Sequence, residues 1–210
     1  DYGRLIAYYD EKMLERLVHE KNILSEFDHA LEDNQFRMYL QPQISNTGTL
    51  TGAEAIVRWH HPIRGILMPG DFIDIIEKRG YILKLDEQMW EQAAAKLGEW
   101  KKRGIDTISI SVNVSTKDFY YTDLYQAFTG LVEKYDINPG LLNIEITETV
   151  FMSDMQSHME VINKLRAYGF HIEIDDFGSG YSSLNMLKDI TADILKIDMA
   201  FLEETDTPVR

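Results

Sequence analysis

Two adjacent carboxylates, Asp175 and Asp176, are the most chemically suggestive residues of the chain. They follow His171 to Ile174, an alternating β-branched run that predicts a strand, and they precede a Gly-Ser-Gly turn at residues 178–180. Neighbouring carboxylates repel each other when both are ionised, so a site that keeps them charged supplies a cation or strong hydrogen-bond donors. These residues therefore indicate either a cation site or a solvated Asp-Asp loop.

The other predicted strands also carry polar residues towards their ends: Glu54 with Arg58, then Asn113, then Glu145 and Glu148, and finally Lys196. Taken singly, each has a structural explanation, such as a Glu54–Arg58 ion pair or pairing of Glu145 with Lys196. If the strands lie side by side in one barrel, however, the groups converge at one mouth. Burying that many carboxylates without a cation is costly. The set therefore suits a divalent cation, and the second Asp invites a second ion that would help to activate water and neutralise phosphoryl charge.

The elements that position these residues follow from hydrophobic periodicity. A helix is predicted over Asp10–Asn34, then a hairpin of strands Phe36–Ile44 and Leu50–Trp59, a helix from Asp71 to Gly80, and a longer helix that begins at Asp86. The remainder alternates strand and helix, with strands at 107–114, 141–147, 171–174 and 193–198, helices at 124–135 and 155–168, and a short helix before the last strand. Repeated βα units predict parallel strands with right-handed crossovers. A closed barrel and an open doubly wound sheet both remain possible, and the polar strand ends favour the barrel.

Composition narrows the function. The 210 residues carry a formal net charge of -14, so the chain lacks a basic surface for DNA or RNA, and a nucleotide ligand would need divalent metal. There is no cysteine, which excludes disulfides and thiolate metal sites and favours Mg²⁺, Mn²⁺ or Ca²⁺. No apolar run approaches membrane-spanning length and no signal peptide opens the chain. We therefore expect a cytoplasmic segment without direct membrane contact, and a membrane-anchored parent protein stays open.

Taken together, the motifs resemble those of EAL-type cyclic di-GMP phosphodiesterase domains. In family order from about Phe27 onward they are Gln41-Pro42, Glu54-Ala55-Ile56-Val57-Arg58-Trp59, Asn113, Glu145-Ile146-Thr147-Glu148, Asp175-Asp176-Phe177-Gly178-Ser179-Gly180-Tyr181-Ser182-Ser183-Leu184 and Leu195-Lys196-Ile197-Asp198. Residues 7–13 resemble the tail of a GGDEF domain that leads into a connector helix. The resemblance implies that residues 1–26 are this tail and connector, and that residues 27–210 are an EAL-type (β/α)8 TIM-type barrel in a bacterial signalling protein.

The resemblance also implies an activity and a set of roles. The activity is hydrolysis of cyclic di-GMP to the linear dinucleotide with Mg²⁺ or Mn²⁺. The metal ligands would be Glu54, Asn113, Glu145 and Asp175, with Asp176 serving a second metal. Lys196 would position the attacking water or a phosphate oxygen, and Glu148 would hold the loop from Phe177 to Ser183. Gln41 and Arg58 would contact the dinucleotide, Arg58 through a phosphate that its planar fork suits.

Two departures from the family pattern affect these expectations. Ile56 stands where the signature has Leu, a volume-conserving change that we expect to matter little. The second departure is larger, because the chain ends at Arg210 after about six of the eight strands of a TIM-type barrel. The Glu that resembles a general base and a further Gln at the nucleotide site would follow that point. We therefore expect an incomplete barrel in this chain, and a fragment that by itself is inactive.

Alternatives to catalysis remain at this stage. A non-catalytic cyclic di-GMP receptor or a regulatory protein-interaction module would use the same fold, although the intact carboxylates argue against a decayed metal site. Unrelated barrel chemistry, such as proton abstraction from a metal-bound enolate, would use similar carboxylates and a lysine, but the motif match argues against it. Leu17, Leu24 and Leu31 recur every seven residues on the first helix, which predicts a homodimer through this helix or a barrel face. A helix that packs on its own domain would show the same pattern.

Overall fold

The computed structural model describes residues 11–178 and 192–199. They belong to two compact units. The smaller unit comprises the described residues up to Arg37 together with Val57–Leu85, and the larger comprises Met38–Ile56 and the described residues from Asp86 onward. None of the helices in these ranges is both long enough and apolar enough to cross a membrane.

Eight named helices and strands come from the first half of the described chain: α1 (Glu11–Glu32), β1 (Phe36–Ile44), β2 (Leu50–His61), β3 (Gly65–Leu67), α2 (Ile73–Arg79), α3 (Ile82–Lys102), β4 (Ser109–Asn113) and α4 (Thr116–Tyr121). The second half contributes α5 (Leu124–Tyr135), β5 (Leu142–Thr147), α6 (Glu148–Ser153), α7 (Met155–Tyr168), β6 (Ile172–Phe177) and β7 (Ile194–Ile197). Strands and helices alternate from β4 onward, as the periodicity predicts.

The smaller unit is organised around buried aromatic rings. Phe27 of α1 contacts Phe36 with ring centroids 5.5 Å apart, Phe36 contacts Trp59 at 4.8 Å, and Trp59 contacts Phe72 at 5.6 Å. All four rings are fully buried. Tilted and edge-on contacts of this kind add to the stabilisation from burial. The end of β2 also pairs with β3 in antiparallel fashion, with Trp59 opposite Leu67.

A parallel-rich sheet dominates the larger unit. Among the described residues the strand order is β1-β2-β4-β5-β6-β7, and the sheet does not close on itself. The pairs β2–β4, β4–β5, β5–β6 and β6–β7 are all parallel. The mixed α/β fold class is therefore confirmed, with helices supplying the crossovers.

The two faces of this sheet differ in polarity. In β5, for example, Leu142, Ile144 and Ile146 are buried and alternate with Asn143 and Glu145, which are buried as well. Successive side chains of a strand point to opposite faces, so one face is apolar and the other polar. Helices supply buried apolar side chains to this unit, including Trp90 and Leu97 of α3 and Phe128 of α5. The apolar stripe of α3 is thus core packing, as expected.

Several predicted boundaries are wrong. The third helix begins at Ile82 rather than Asp86, because Ile82 and Leu85 extend its buried face by one turn. Strand β6 includes both Asp175 and Asp176 instead of ending before them. The short helices α4 and α6 are not predicted. At the start of α4 the Asp118 side chain accepts the backbone N–H of Ser115, and at the start of α6 the Thr147 side chain accepts that of Val150. The short helix expected before the last strand lies at residues outside those described.

Candidate active site

Polar residues of neighbouring parallel strands share one face of the larger unit's sheet. The register places Glu54 opposite Ser111, Asn113 opposite Glu145, and Glu145 opposite Glu173. Side chains two residues apart on a strand share a face, so Asp175 joins this set through Glu173. The predicted residues Glu54, Asn113, Glu145 and Asp175 are thus carried by four adjacent strands on a common face.

A β-bulge sits where the two aspartates meet the last described strand. Ile174 pairs with Leu195 and Phe177 with Ile197, so Asp175 and Asp176 together lie opposite Lys196. The bulge is accommodated by Asp176, whose φ of 54° is left-handed, a conformation that Asp tolerates better than most residues. Bulges re-aim side chains and are common beside active sites. This one brings two successive carboxylates to the strand position of one lysine.

Lys196 is the centre of the cluster. Its Nζ donates a hydrogen bond to Oε2 of Glu54 at 3.1 Å, lies 2.5 Å from Oε1 of Glu145, and lies 3.5 Å from Oε2 of Glu173. Glu145 and Glu173 are fully buried, whereas Glu54 and Lys196 are partly accessible. One ammonium group therefore faces three carboxylates from three strands.

The electrostatics of the cluster follow from burial and this unequal charge count. Burial raises the pKa of Glu145 to about 8, against the opposing effect of Lys196 and with a smaller contribution from Glu54 and Asp175. Burial lowers the pKa of Lys196, but its close contact with Glu145 and the charges of Glu145 and Glu54 outweigh this and hold that pKa above its ordinary value. Burial and the charge of Asp175 also raise the pKa of Asp176. The site thus disfavours further negative charge and keeps its lysine protonated.

Glu148 lies apart from this cluster, at the first residue of α6. Its side chain is buried, and Oε2 accepts a hydrogen bond of 2.9 Å from the backbone N–H of Gly178. Gly178 has a φ of 92°, which favours glycine, and it directly follows β6. Glu148 therefore anchors the beginning of the segment that leaves the Asp175–Asp176 bulge.

Three further predicted residues lie on β4, β1 and β2. Asn113 is exposed at the end of β4, and its carbonyl oxygen accepts a 2.9 Å hydrogen bond from Nε1 of Trp90. Gln41 is exposed on β1. Arg58 belongs to the smaller unit, where its Nη1 donates to the carbonyl of Val57. The substrate-binding roles of Gln41 and Arg58 stay predictions.

Sequence reasoning missed a buried polar layer on the same face. Oε1 of Glu173 accepts hydrogen bonds from Oγ of Ser111 at 2.9 Å and from Nδ2 of Asn143 at 2.7 Å. All three residues are buried. The available signal was the spacing of Glu173, two residues before Asp175 and therefore on its face.

The chemical types of the oxygen donors in this cluster suit a hard divalent cation. Neither oxygen of Glu145 has a well-aligned hydrogen-bond donor in the described chain, so its compensation comes from the close contact with Lys196. Carboxylate and amide oxygens such as those of Glu54, Asn113 and Asp175 are the ligands that Mg²⁺ and Mn²⁺ prefer. Over residues 11–178 and 192–199, however, no three Asp, Glu or His side chains converge closely enough to hold an ion by themselves. Ligation would require Glu54 and Glu145 to turn from the ammonium towards the cation.

Comparison with known proteins places this geometry in context. The family model described as EAL domain matches residues 24–208. MucR of Pseudomonas aeruginosa, a bifunctional diguanylate cyclase/cyclic di-GMP phosphodiesterase, is 32% identical over 206 residues, which cover 97% of this chain and 30% of MucR. The signaling protein YkoW of Bacillus subtilis is 35% identical over 179 residues, covering 85% of this chain and 22% of YkoW. The chain therefore spans less than a third of the length of these curated relatives.

A solved structure agrees in fold. The PaMucR phosphodiesterase, in complex with c-di-GMP, superimposes with a TM-score of 0.81 at 34% sequence identity. The match covers 86% of this chain and 74% of that one. The fold of this chain thus has a counterpart among solved structures.

Proposed function

Because the chain belongs to the EAL domain family, we propose that the protein containing it binds cyclic di-GMP and hydrolyses it to the linear dinucleotide with Mg²⁺ or Mn²⁺. The observation that carries the proposal is Lys196, whose ammonium lies between Glu54 and Glu145 beside the Asp175–Asp176 bulge. A partly buried lysine amid excess carboxylate is suited to phosphate chemistry only when a cation offsets the negative charge.

In this proposal Glu54, Asn113, Glu145 and Asp175 hold the first ion, and Asp176 serves a second. When bound, such ions activate a water molecule and neutralise charge on the phosphodiester. The bulge contributes by presenting two carboxylates from consecutive residues, which lets one strand serve both positions. The burial of Glu145 also excludes water from one side of the site.

Lys196 acts on the phosphodiester or on the attacking water. Its raised pKa keeps the ammonium protonated at neutral pH, so it donates hydrogen bonds to developing negative charge on a phosphate oxygen or orients the water. Glu148 acts through the backbone of Gly178 and sets the direction in which the chain leaves the bulge. We propose that Arg58 binds a phosphate and that Gln41 contacts the dinucleotide.

The test is hydrolysis of cyclic di-GMP by purified protein that contains this chain, with and without excess Mg²⁺ or Mn²⁺. We expect metal-dependent release of the linear dinucleotide, and a loss of about 100-fold or more in kcat for Lys196→Met, as is typical when one donor to a charged transition state is removed. Lys134→Met is the matched control, because Lys134 is an exposed lysine of α5 that pairs with Glu91. Equal activity of both variants would contradict the role of Lys196.

A second candidate function is a cyclic di-GMP receptor without turnover. The observation that favours it is that no three described carboxylate or imidazole side chains converge on an ion position. Calorimetry combined with product analysis separates the two functions. A receptor binds cyclic di-GMP equally well with metal or with a chelator present, and it releases no linear product. Binding that requires metal and is followed by product release supports the enzyme.

We also propose that the protein self-associates as a homodimer through α1 or a face of the larger unit. Leu17 is 47% exposed on α1, while the helix buries Ile23, Phe27 and Ala30 instead. The leucine repeat thus lies largely off the buried face.

The cytoplasmic location stays a prediction.

A further inference from the structure

Glu173 has no part in the roles assigned so far, although it is a fully buried carboxylate close to Lys196, as Glu145 is. It is the second residue of β6, and the register places it directly beside Glu145. Both side chains are fully buried. Two adjacent buried carboxylates repel each other unless donors or a cation compensate them, so a glutamate at this position needs a physical reason.

Its two oxygens have different partners. Oε1 accepts hydrogen bonds from Ser111 at 2.9 Å and from Asn143 at 2.7 Å, which fix the carboxylate from the neighbouring strands. With Oε1 held in this way, Oε2 is directed at the Lys196 ammonium, 3.5 Å away. Glu173 is thus oriented by neutral donors and presents one oxygen to the lysine.

The arrangement matters because the other two anions around Lys196 are both assigned to metal. When Glu54 and Glu145 ligate a cation, they no longer serve as counter-ions for the ammonium. A partly buried ammonium without a facing anion is costly to keep in place. Glu173 lies among its own donors, Ser111 and Asn143, and keeps its place in either state.

From these contacts we propose that Glu173 is a positioning residue, the resident counter-ion that holds Lys196 in place while Glu54 and Glu145 bind the divalent cation. This inference rests on the proposed function, because it assigns Glu173 to the same site. The carboxylates of the site thereby divide into two groups, since Glu173 serves the lysine and the others serve metal.

The first test is Glu173→Gln, which keeps an oxygen acceptor for Ser111 and Asn143 but removes the charge that faces Lys196. We expect kcat for cyclic di-GMP to fall about 10- to 100-fold with KM little changed, as for other residues that hold the reacting groups in position without touching the substrate. A purely structural role would instead lower the thermal midpoint and leave kcat per folded molecule unchanged. An unchanged kcat overturns the proposal.

Two serines on β4 provide a matched pair of variants that tests the orientation of the Glu173 carboxylate without removing its charge. Ser111→Ala removes a donor to Glu173, whereas Ser109→Ala removes a hydroxyl two residues away that receives only a 3.3 Å hydrogen bond from Asn143. We expect Ser111→Ala to lower kcat by a smaller factor than Glu173→Gln, and Ser109→Ala to leave it unchanged. Equal behaviour of the two serine variants argues against orientation by Ser111.

A readout independent of turnover is the affinity for Mn²⁺ measured by calorimetry without substrate. In Glu173→Gln, Lys196 keeps Glu54 or Glu145 as its anion and competes with the metal, so we expect weaker Mn²⁺ binding. In a Lys196→Met background the same substitution should cause a clearly smaller loss, because the competing ammonium is gone. An equal loss in both backgrounds overturns the counter-ion role while leaving the proposed function intact. Failure of the wild-type protein to hydrolyse cyclic di-GMP rejects the proposed function, and the Mn²⁺ cycle still decides the role of Glu173.

Discussion

Each unit of the molecule contains one conspicuous cluster of charged residues, and the two clusters differ in charge balance. In the smaller unit, Nε2 of His61 lies 2.7 Å from Oε2 of Glu26, and Arg64 pairs with the same oxygen. Nδ1 of His61 accepts the backbone N–H groups of Ile63 and Arg64, each at 3.1 Å, so the proton of a neutral imidazole is on Nε2 and is donated to Glu26. One carboxylate is thus matched by one guanidinium, and each ring nitrogen has a partner.

The cluster of the larger unit is not balanced in this way. Three carboxylates, Glu54, Glu145 and Glu173, face the single ammonium of Lys196, with Asp175 and Asp176 beside them. Burial, with smaller contributions from Glu54 and Asp175, raises the pKa of Glu145 against the opposing effect of Lys196. The difference teaches that a satisfied cluster stabilises a fold, whereas an unsatisfied one is suited to receive a cation or a reacting group. Variants in the two clusters should therefore have different consequences.

The largest expected effect is that of Glu54→Ala, which should abolish turnover of cyclic di-GMP. Loss of an anionic ligand weakens binding of the ion that activates water. Even residues that only support the ligands typically contribute about 10- to 100-fold to metal affinity or activity. The measurement is hydrolysis with excess Mg²⁺ or Mn²⁺, with Glu26→Ala as the control from the balanced cluster. A near-normal rate for Glu54→Ala would remove Glu54 from the ligand set.

Glu148→Ala should have an intermediate effect. It deletes the acceptor of the Gly178 N–H and loosens the segment after β6, so we expect slower catalysis, about 10-fold or more, while the first metal site stays largely intact. Calorimetry with Mn²⁺ and a hydrolysis assay report the two properties separately. If Mn²⁺ binding disappears as well, Glu148 is a metal ligand instead.

Substitution in the balanced cluster should affect stability alone. His61→Phe keeps a buried ring but leaves the N–H groups of Ile63 and Arg64 without their acceptor, which costs about 1–3 kcal/mol in the free energy of unfolding. Urea unfolding measures this loss, and kcat per folded molecule should equal that of the wild type. A fall in kcat at unchanged stability would show that the two clusters do not divide into structure and function as proposed.

The smallest effect concerns association and should leave both clusters unchanged. Replacing Leu17, Leu24 and Leu31 by polar residues removes the apolar repeat of α1, and we expect the sedimenting mass to shift towards monomer. Replacement of the buried Ile23 on the same helix is the contrasting variant, since it should destabilise the smaller unit instead. No shift in mass would mean that the leucines pack only on their own domain.

Much of the fold was predictable because local pattern and tertiary environment agree. Helices α5 and α7 have the predicted bounds, and β5 differs from its prediction by one residue. The apolar residues of these segments recur with a clear period, so the buried side of the helix or strand can be predicted from residue types alone. The boundary errors occur where tertiary packing or a partner strand decides the outcome, as at the start of α3, where Ile82 and Leu85 are buried, and at the end of β6.

For the site, the sequence alone determined which residues carry the chemistry: carboxylates, an amide and a lysine near the ends of successive strands. Only the tertiary structure decided their grouping. Parallel register set Glu173 beside Glu145, and the bulge opposed two aspartates to Lys196. Register and bulges depend on hydrogen bonds between strands that are distant in sequence, so no local pattern specifies them. Glu173 was missed for this reason, since its partners Ser111 and Asn143 belong to other strands and meet it only when the sheet forms.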